Sequence, residues 1–156
     1  MEGELSVEEA YRKWAEELTR YATALAGPAN AADLVGDAFT SVLARGDGAW
    51  QSVRDPQSYL YRSVLNAASM ATRSSGRRRD REMRWMPGGP VTGELLVDPA
   101  VRRALEKLSV QQRAVTFLTY WLDLTPASVA SMLEISEGSV KRQLARARST
   151  LPEVLS

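Results

Sequence analysis

The stretch from Leu124 to Leu151 constrains the fold of this chain more than any other. It reads LTPASVASMLEISEGSVKRQLARARSTL, which is the pattern of two short helices joined by a tight turn. Thr125 is a good N-cap, and Pro126 stands at the first helical position, where its missing N–H costs nothing. The turn follows at Glu134, and Ser136 caps a second helix that is rich in Lys and Arg. This layout predicts a helix-turn-helix whose second helix can enter a DNA major groove.

Apolar and basic residues of that second helix occupy different faces. The stripe at 4-3-4 spacing that is expected to face inward consists of Val140, Leu144, Ala147 and Leu151. The cations that fall largely off this stripe are Lys141, Arg142, Arg146 and Arg148. A run of charges on a helix is usually a solvated face, so the pattern alone leaves both DNA binding and a plain two-helix hairpin open.

The composition excludes several classes of protein. The chain has 156 residues, of which 44% are hydrophobic and 25% charged, as is ordinary for a globular protein with a packed core. It has no cysteine and no histidine, so it lacks thiolate ligands, the commonest metal ligand and the commonest general base. It contains no run of about 18 apolar residues and no signal-peptide pattern. We therefore expect a cytoplasmic protein that is not an enzyme and that needs no cofactor and no metal.

The net charge of +1 hides an uneven distribution. Residues 1–60 carry five Lys or Arg against ten Asp or Glu, a net charge of −5. Residues 61–90 carry seven against two, a net charge of +5. Residues 91–135 are close to neutral at −1, and residues 136–156 return to +2. A nearly neutral chain disfavours tight non-specific binding to DNA, whereas two separate basic blocks permit local contacts with phosphates.

The N-terminal part of the chain predicts three helices. A capping box at Ser6 opens the first, whose apolar set runs from Val7 to Leu25 at 4-3-4-3-4 spacing, and Gly27-Pro28 ends it. The apolar set of the second helix, which Asn30 is expected to cap, is Leu34, Val35, Ala38, Phe39, Val42 and Leu43. Residues 45–55 are expected to form a loop. Asp55-Pro56 starts the third helix by a cap and a proline at its first position.

Residues 86–97, MPGGPVTGELLV, break the helical pattern with two prolines and three glycines, which indicates a linker. A helix starting at Asp98-Pro99 and another opened by a capping box at Ser109 precede the helix-turn-helix. Because no stretch alternates convincingly between apolar and polar residues, we expect no β-structure. The chain is thus predicted to be all-α, with two small helical domains joined by a flexible linker. The predicted division is domain 1–84, linker 85–97 and domain 98–156.

A group of aromatic and basic side chains surrounds the start of the third helix. Single-stranded nucleic acid is bound by aromatic faces that stack on bases and by cations that follow phosphates. The residues that supply these groups are Trp50, Tyr59, Tyr61, Arg62, Asn66, Arg73 and Arg77. The alternative is that the tyrosines fill the core while the arginines keep the helix soluble. With a helix-turn-helix in the same chain, we favour binding for the set as a whole.

Asp33 and Asp37 lie four residues apart on the second helix. Two carboxylates without a third ligand make a weak metal site, so we interpret the acidic face as helix capping and a partner surface. No nucleophile–base set and no phosphate-cradling glycine loop is visible in the sequence, and catalytic residues are therefore expected to be absent.

Three stretches of the chain together match the pattern of one known family. They are NAADLVGDAFTSVL from Asn30 to Leu43, DPQSYLYRSVLN from Asp55 to Asn66, and the stretch from Val115 to Arg148, which contains ISEGSVKRQLARAR. In order, they resemble the segments AEDLVQExFLxxW, dPxxWLYRxaxN and ISEGTVKSRLxRAR. These segments belong to the extracytoplasmic-function (ECF) group of the sigma-70 family, the bacterial RNA polymerase sigma factors that recognise promoters.

The resemblance implies roles for the matching positions. The segment that docks on the clamp coiled coil of the polymerase β′ subunit corresponds to Asp33, Leu34, Asp37 and Phe39. The residues expected to hold the −10 element, where one base is flipped out as the DNA melts, are Trp50, Tyr59, Arg62, Asn66, Arg73 and Arg77. The residues expected to contact the −35 element in the major groove are Ser139, Lys141, Arg142, Ala145 and Arg146. The linker would thread the polymerase's RNA path, and the region 4 helices would pack on the β flap.

The partners that the resemblance implies are core RNA polymerase and promoter DNA, with no membrane insertion. An anti-sigma factor, which clamps over both domains of many relatives, is a further candidate. Four positions depart from the family pattern. Glu134 stands where the turn usually has glycine, and Arg142 where a small serine is common. Gly36 stands where many members have glutamine, and Tyr59 where tryptophan is common. These departures make the promoter sequence unpredictable.

The leading interpretation is an alternative sigma factor that binds core polymerase, recognises −35 and −10 elements and promotes DNA opening. One alternative is a stand-alone helix-turn-helix regulator that binds duplex operators and never opens DNA. An enzyme acting on nucleic acid and an adaptor that binds polymerase without promoter specificity are two others. A regulator would find its site alone, whereas a sigma factor directs transcription only together with the core enzyme.

Overall fold

The computed structural model describes residues 5–74 and 99–150. Within these ranges the chain forms eight α-helices and no strand, so the all-α prediction is confirmed. In chain order the helices are α1 (Val7–Ala26), α2 (Pro28–Ala44), α3 (Asp47–Gln51), α4 (Pro56–Ser74), α5 (Pro99–Glu106), α6 (Val110–Tyr120), α7 (Pro126–Leu133) and α8 (Glu137–Thr150). None of these helices is long and apolar enough to span a membrane. The predicted linker, Arg77 and Leu151 lie outside the described residues.

The junction between α1 and α2 depends on Gly27. Its φ of 90° is one that glycine adopts without strain, and it redirects the chain so that Pro28 occupies the first position of α2. The cap of this helix, expected at Asn30, is Gly27, so the prediction is wrong by three residues. The Asn30 side chain instead donates from Nδ2 to the carbonyl oxygen of Ala26 at 3.0 Å, which satisfies an end carbonyl of α1. The capping box predicted at Ser6 is present.

Residues 45–55 contain a short helix, α3, where the sequence predicted only a loop. One aromatic residue among glycines and aspartates gives no periodic pattern, and a helix of this length is held by tertiary packing. That packing comes from Trp50, which is only 6% exposed and donates its indole N–H to the carbonyl oxygen of Leu5 at 2.7 Å. Asp55 then caps α4 as predicted, accepting the Ser58 backbone N–H at 3.2 Å.

The packing of α1 against α4 centres on two buried tyrosines. The rings of Tyr21 and Tyr61 are fully buried, with their centroids 4.6 Å apart. The sequence pattern left Tyr61 as an outward residue, but its hydroxyl donates to Oε1 of Glu17 at 2.5 Å, and this partner allows it to be buried. Burial, and next the adjacent carboxylate, raise the pKa of Tyr61, while burial alone raises the pKa of Tyr21. The Tyr21 hydroxyl finds no hydrogen-bond partner among the described residues.

The helix-turn-helix forms as the sequence predicted. Thr125 accepts the Ser128 backbone N–H at 3.1 Å to cap α7, and Ser136 accepts that of Ser139 at 3.0 Å to cap α8. Between them Glu134 has φ 59° and ψ 46°, the left-handed conformation that glycine adopts more easily, at a cost of about 1 kcal/mol. The buried stripe of α8 within the described residues is Val140, Leu144 and Ala147.

The helices before and after the predicted linker pack on each other. Helix α6 packs against α1 and α4, and α7 packs against α4. The ring of Tyr21 on α1 contacts that of Phe117 on α6, with centroids 5.5 Å apart, and Phe117 stacks on Trp121 at 5.9 Å. The sequence predicted two helical units and not this contact, because an amphipathic pattern shows which face is buried but not which element covers it.

The two buried tyrosine hydroxyls lead to opposite predictions for stability. Tyr61→Phe removes a donor to the Glu17 carboxylate, so we expect it to lower the free energy of unfolding by about 1–2 kcal/mol. Tyr21→Phe removes a buried hydroxyl without a partner in the described structure, so we expect no change or a gain of up to about 1 kcal/mol. Urea unfolding followed by circular dichroism measures both values. Equal destabilisation by the two substitutions would contradict this hydrogen-bond assignment.

Substitutions at two glycines allow the effects of helix propensity and of backbone strain on stability to be measured separately. At Gly36 and at Gly46, an added Cβ would meet no heavy atom of a neighbouring described residue within 4 Å. Gly36 lies inside α2, so Gly36→Ala is expected to raise the free energy of unfolding by about 0.5–1 kcal/mol. Gly46 has φ 91° and ψ 168°, a backbone conformation almost restricted to glycine, so Gly46→Ala is expected to lower the free energy of unfolding by about 1–3 kcal/mol. Thermal unfolding of the matched pair checks the sign, and a loss of stability in Gly36→Ala would mean that α2 bends at this position.

Candidate nucleic-acid interface

The outer face of α8 carries most of the residues predicted to contact the −35 element. Lys141, Arg142, Ala145 and Arg146 are exposed, and Ser139 is half-buried. The opposite side of the helix is buried in the core, so these side chains share the one face that is open to solvent. Nζ of Lys141 lies 3.4 Å from the Glu137 carboxylate one turn earlier, but both side chains are exposed and such a pair contributes little. The face is therefore available to phosphates and base edges.

Arg142 lies back along α8 toward the N-terminus of the helix. An added Cβ on Gly138 would be 3.5 Å from Nη1 of Arg142 and 3.9 Å from the Ser136 hydroxyl. This position brings the guanidinium close to the first turn, the part of a recognition helix that usually contacts base edges. Arg148 is arranged differently, because its Nε donates to the hydroxyl of Tyr120 at 3.0 Å and ties α8 to α6.

A second candidate surface lies on α4. Tyr59, Arg62 and Asn66 share one face of this helix because they follow each other in steps of three and four residues. Asn66 is exposed, and Tyr59 is half-buried with the Arg45 guanidinium 5.7 Å from its ring centroid. The backbone of Arg73 belongs to α4 as well, but its side chain lies outside the described structure.

The ring of Trp50 is not exposed beside the α4 face. A base can stack only on an exposed aromatic face, whereas this ring is buried and its N–H is used by Leu5. In this structure Trp50 anchors the segment that precedes α1 to α3. The structure thus places three of the residues predicted for the −10 element on one face of α4 and buries Trp50.

Arg62 makes contacts that the sequence could not reveal. Its Nη1 donates to the carbonyl oxygen of Met132 at 3.0 Å, and its Nε lies 3.6 Å from Oε1 of Glu134. Both acceptors belong to the end of α7. The last carbonyls of a helix lack partners within that helix, and a cation suits this negative end. One residue predicted for the −10 element is therefore engaged with the helix-turn-helix.

The four residues predicted to dock on polymerase divide into two pairs on α2. Asp33 and Asp37 are exposed one turn apart and present two carboxylates to solvent. Leu34 and Phe39 are buried and pack in the core instead. The edge of the Phe39 ring meets the ring of Tyr11 with centroids 5.1 Å apart, so these two residues fix the position of α2 on α1.

Sequence reasoning missed two exposed apolar side chains near this surface. Leu43, expected to face inward, is 62% exposed, and Tyr11 on the α1 stripe is 51% exposed. Leu43 lies one turn after Phe39, the ring that Tyr11 contacts. Apolar spacing marks a helix face, but it does not show where the covering helix stops, and so it gave no signal that this part of the face is open.

The chemistry of the candidate surfaces follows from the side chains that they expose. Within residues 5–74 and 99–150, no cluster of three potential metal-ligating side chains is close enough together to hold an ion. The exposed groups on α8 and α4 are cations, an amide and a partly open aromatic ring, which are suited to phosphates, base edges and base faces.

Comparison with known proteins matches both parts of the chain. The family model described as Sigma-70, region 4, matches residues 99–151. The ECF RNA polymerase sigma factor SigM of Mycobacterium tuberculosis is 32% identical over 127 residues, which are 81% of this chain and 64% of SigM. The chain thus spans somewhat less than two thirds of the length of that relative. The RNA polymerase sigma-E factor of Streptomyces coelicolor is 30% identical over 158 residues, covering 97% of this chain and 86% of the relative.

A solved structure has the same fold. The sigma factor RpoE, co-crystallised with the anti-sigma factor NepR from Bartonella quintana, matches with a TM-score of 0.70 at 22% identity over 95% of both chains. This likeness shows the fold. The sequence relatives and the region 4 match show that the chain belongs to the ECF group of the sigma-70 family of RNA polymerase sigma factors.

Proposed function

We propose that this protein is an alternative sigma factor, a non-catalytic subunit that directs core RNA polymerase to promoters in the cytoplasm. It binds the core enzyme through α2, contacts the −35 element through α8 and holds the opened −10 element on α4. Family membership supports the general role. The observation that carries the assignment to DNA is the exposed basic face of α8, opposite a buried stripe of the same helix.

The −35 assignment to α8 follows from charge and access. Lys141, Arg142 and Arg146 are three exposed cations within two turns of the second helix of a helix-turn-helix. Arginine can bond to both acceptors of guanine in the major groove, and lysine can neutralise a phosphate. Ala145 leaves space between them for a base or sugar. The position of Arg142 beside the first turn makes it the residue that sets sequence preference.

The −10 assignment to α4 follows from the types of side chain on one face. An exposed amide on Asn66 can bond to the edge of an unpaired base, and the partly open ring of Tyr59 can stack on a neighbouring base. Flipping a base out of the duplex costs a few kcal/mol, so selective binding of the flipped base favours opening. Arg73 and Arg77 follow on the same segment and would track the phosphates.

The polymerase contact is assigned to the surface of α2. Asp33 and Asp37 offer two exposed carboxylates, and the exposed side chains of Leu43 and Tyr11 lie beyond them along α2 and α1. Charges at the rim with an apolar patch nearby are typical of a protein–protein interface. Leu34 and Phe39 act here from the core, by holding α2 in place. An anti-sigma factor stays a candidate partner, supported by the one bound to RpoE.

Removing the cations of α8 should weaken promoter binding in a salt-dependent way. For the triple variant Lys141→Ala, Arg142→Ala, Arg146→Ala, bound to core polymerase, we expect the slope of log K against log salt to become smaller by about 2–3, since each lost phosphate contact contributes nearly one unit. Fluorescence anisotropy on a promoter fragment measures this slope.

The matched control removes three exposed cations from α1, in the variant Arg12→Ala, Lys13→Ala, Arg20→Ala. It should keep the wild-type slope, because these residues lie outside the proposed DNA surfaces. Equal slopes for the two triple variants would contradict the assignment to α8. An adaptor without promoter specificity predicts full activity in both.

Asn66→Ala should impair DNA opening more than polymerase binding. We expect open-complex formation, measured by permanganate reactivity of unpaired thymines, to fall about tenfold or more, in line with about 1–3 kcal/mol for a lost base contact. The affinity of the variant for the core enzyme should differ from that of the parent protein by no more than about twofold. This is a much smaller change in binding free energy than the 1.4 kcal/mol of a tenfold difference. Met70→Ala, an exposed substitution one turn further along α4, serves as the control. If core affinity falls as much as opening does, the assigned role is wrong.

Run-off transcription on genomic DNA with purified core polymerase tests the function as a whole. A sigma factor yields promoter-specific transcripts only when the core enzyme is present. A stand-alone regulator binds its operator without polymerase and yields no such transcripts. The same transcripts identify the promoter sequence.

A further inference from the structure

A cation and an aromatic ring meet where α2 ends and α4 begins. Cζ of the Arg45 guanidinium lies over the ring of Tyr59, 5.7 Å from its centroid. Arg45 directly follows the last residue of α2, and Gly46, with a φ of 91°, then turns the chain away. Tyr59 lies in the first turn of α4. The contact thus joins the ends of two helices across the segment that contains α3.

Arg45 is available to a ligand. It is exposed, and no carboxylate among the described residues forms an ion pair with it. Arg62 on α4 differs, because its guanidinium already donates to the carbonyl oxygen of Met132. In the sequence, Arg45 is also the one Lys or Arg between Arg20 and Arg54. It therefore supplies positive charge to a stretch whose other charged residues are all acidic.

Tyr59 is reached from the side on which Arg45 lies. Its ring is half-buried and packs against the hydrophobic core, so only part of it is accessible. The exposed guanidinium of Arg45 lies over this ring on its solvent side. An unpaired base can stack only on the accessible part of an aromatic ring. A base that stacks on Tyr59 therefore takes the place that the guanidinium has now.

The exchange of the guanidinium for a base is favourable. A cation–π contact at an exposed site is weaker than the stacking of a base on an aromatic ring. Arg45 breaks no ion pair with a described residue when it moves, and its long side chain can turn outward. A guanidinium is planar and stacks on nucleobases as it does on aromatic rings. After the exchange it can lie on the outer face of the base that displaced it.

From this geometry we infer that Arg45 is a further DNA-binding residue of the −10 surface. One unpaired base lies between the ring of Tyr59 and the guanidinium of Arg45, next to the base whose edge the amide of Asn66 binds. The inference rests on the −10 role given to α4 in the proposed function, and it adds the side chain that closes over the stacked base. In the absence of DNA, Arg45 covers the ring instead.

A second cation–aromatic pair provides a matched control. Nζ of Lys13 on α1 lies 5.2 Å from the centroid of the Trp14 ring, and again the cation is exposed and the ring half-buried. Helix α1 lies outside the proposed DNA surfaces. Lys13→Ala therefore removes one charge and one contact of the same kind as Arg45→Ala does, but leaves the −10 surface unchanged.

The test uses the holoenzyme, formed from the full chain and saturating core polymerase. The probe is a promoter fragment, identified by run-off transcription, in which mismatches keep the −10 segment unpaired. Such a fragment measures the capture of bases without the cost of opening the duplex. By fluorescence anisotropy we expect Arg45→Ala to raise the Kd for this fragment about three- to tenfold, as the loss of a cation–π contact shielded from water implies. Lys13→Ala should change it by less than about twofold.

Two further variants separate a contact with the base from a contact with a phosphate. Arg45→Lys keeps the charge but loses the planar group, so its Kd should stay at least about twofold above that of the parent protein. In the Tyr59→Ala background, Arg45→Ala should change the Kd by less than about twofold, because the base that both side chains hold is no longer stacked.

The possible outcomes decide between these roles. Parent affinity in Arg45→Ala, or an equal loss in Lys13→Ala, would overturn the role of Arg45 in DNA binding. Parent affinity in Arg45→Lys, or losses that simply add in the double variant, would overturn the shared base, since a phosphate contact alone predicts both. A parent holoenzyme that binds the fragment no more tightly than core polymerase alone would instead refute the proposed function.

Discussion

The buried ring of Tyr21 holds the described structure together. On one side it packs against Tyr61 of α4 and on the other against Phe117 of α6, so a single side chain of α1 contacts helices from both ends of the chain. Burying these rings removes a large apolar surface from water, and the contacts between tilted rings are themselves favourable. The positions of α4 and α6 relative to each other, and with them the contact between Arg62 and α7, follow from this packing.

Local features were well predicted by the sequence because their causes are local. The caps at Ser6, Thr125 and Ser136 depend on a hydroxyl three residues before a backbone N–H, and each is present. The buried stripe of α8 depends only on helical spacing. The exposed face of α8 could therefore be assigned from the sequence, residue by residue, before any tertiary structure was known.

Features that depend on distant partners could not be predicted in this way. Trp50 is buried because the carbonyl of Leu5 accepts its N–H, 45 positions earlier in the chain. Tyr61 is buried because Glu17 accepts its hydroxyl, and Arg62 is engaged because Met132 lies beside it. In each case, spacing along the helix is compatible with an inward and an outward side chain, and only the tertiary contact decides. The sequence thus predicted which residues form the α4 surface, but it did not predict which of their side chains are exposed.

Because Arg62 caps α7, the rigidity of the helix-turn-helix depends on a side chain from α4. While the helices are packed together, a charged donor fixes the last turn of α7 and the strained Glu134 that follows it. The carbonyl of Met132 and the carboxylate of Glu134 thus interact with a cation from α4 rather than with water alone. A substitution that shifts α4, even one far from the helix-turn-helix, would therefore change how firmly the last turn of α7 is held.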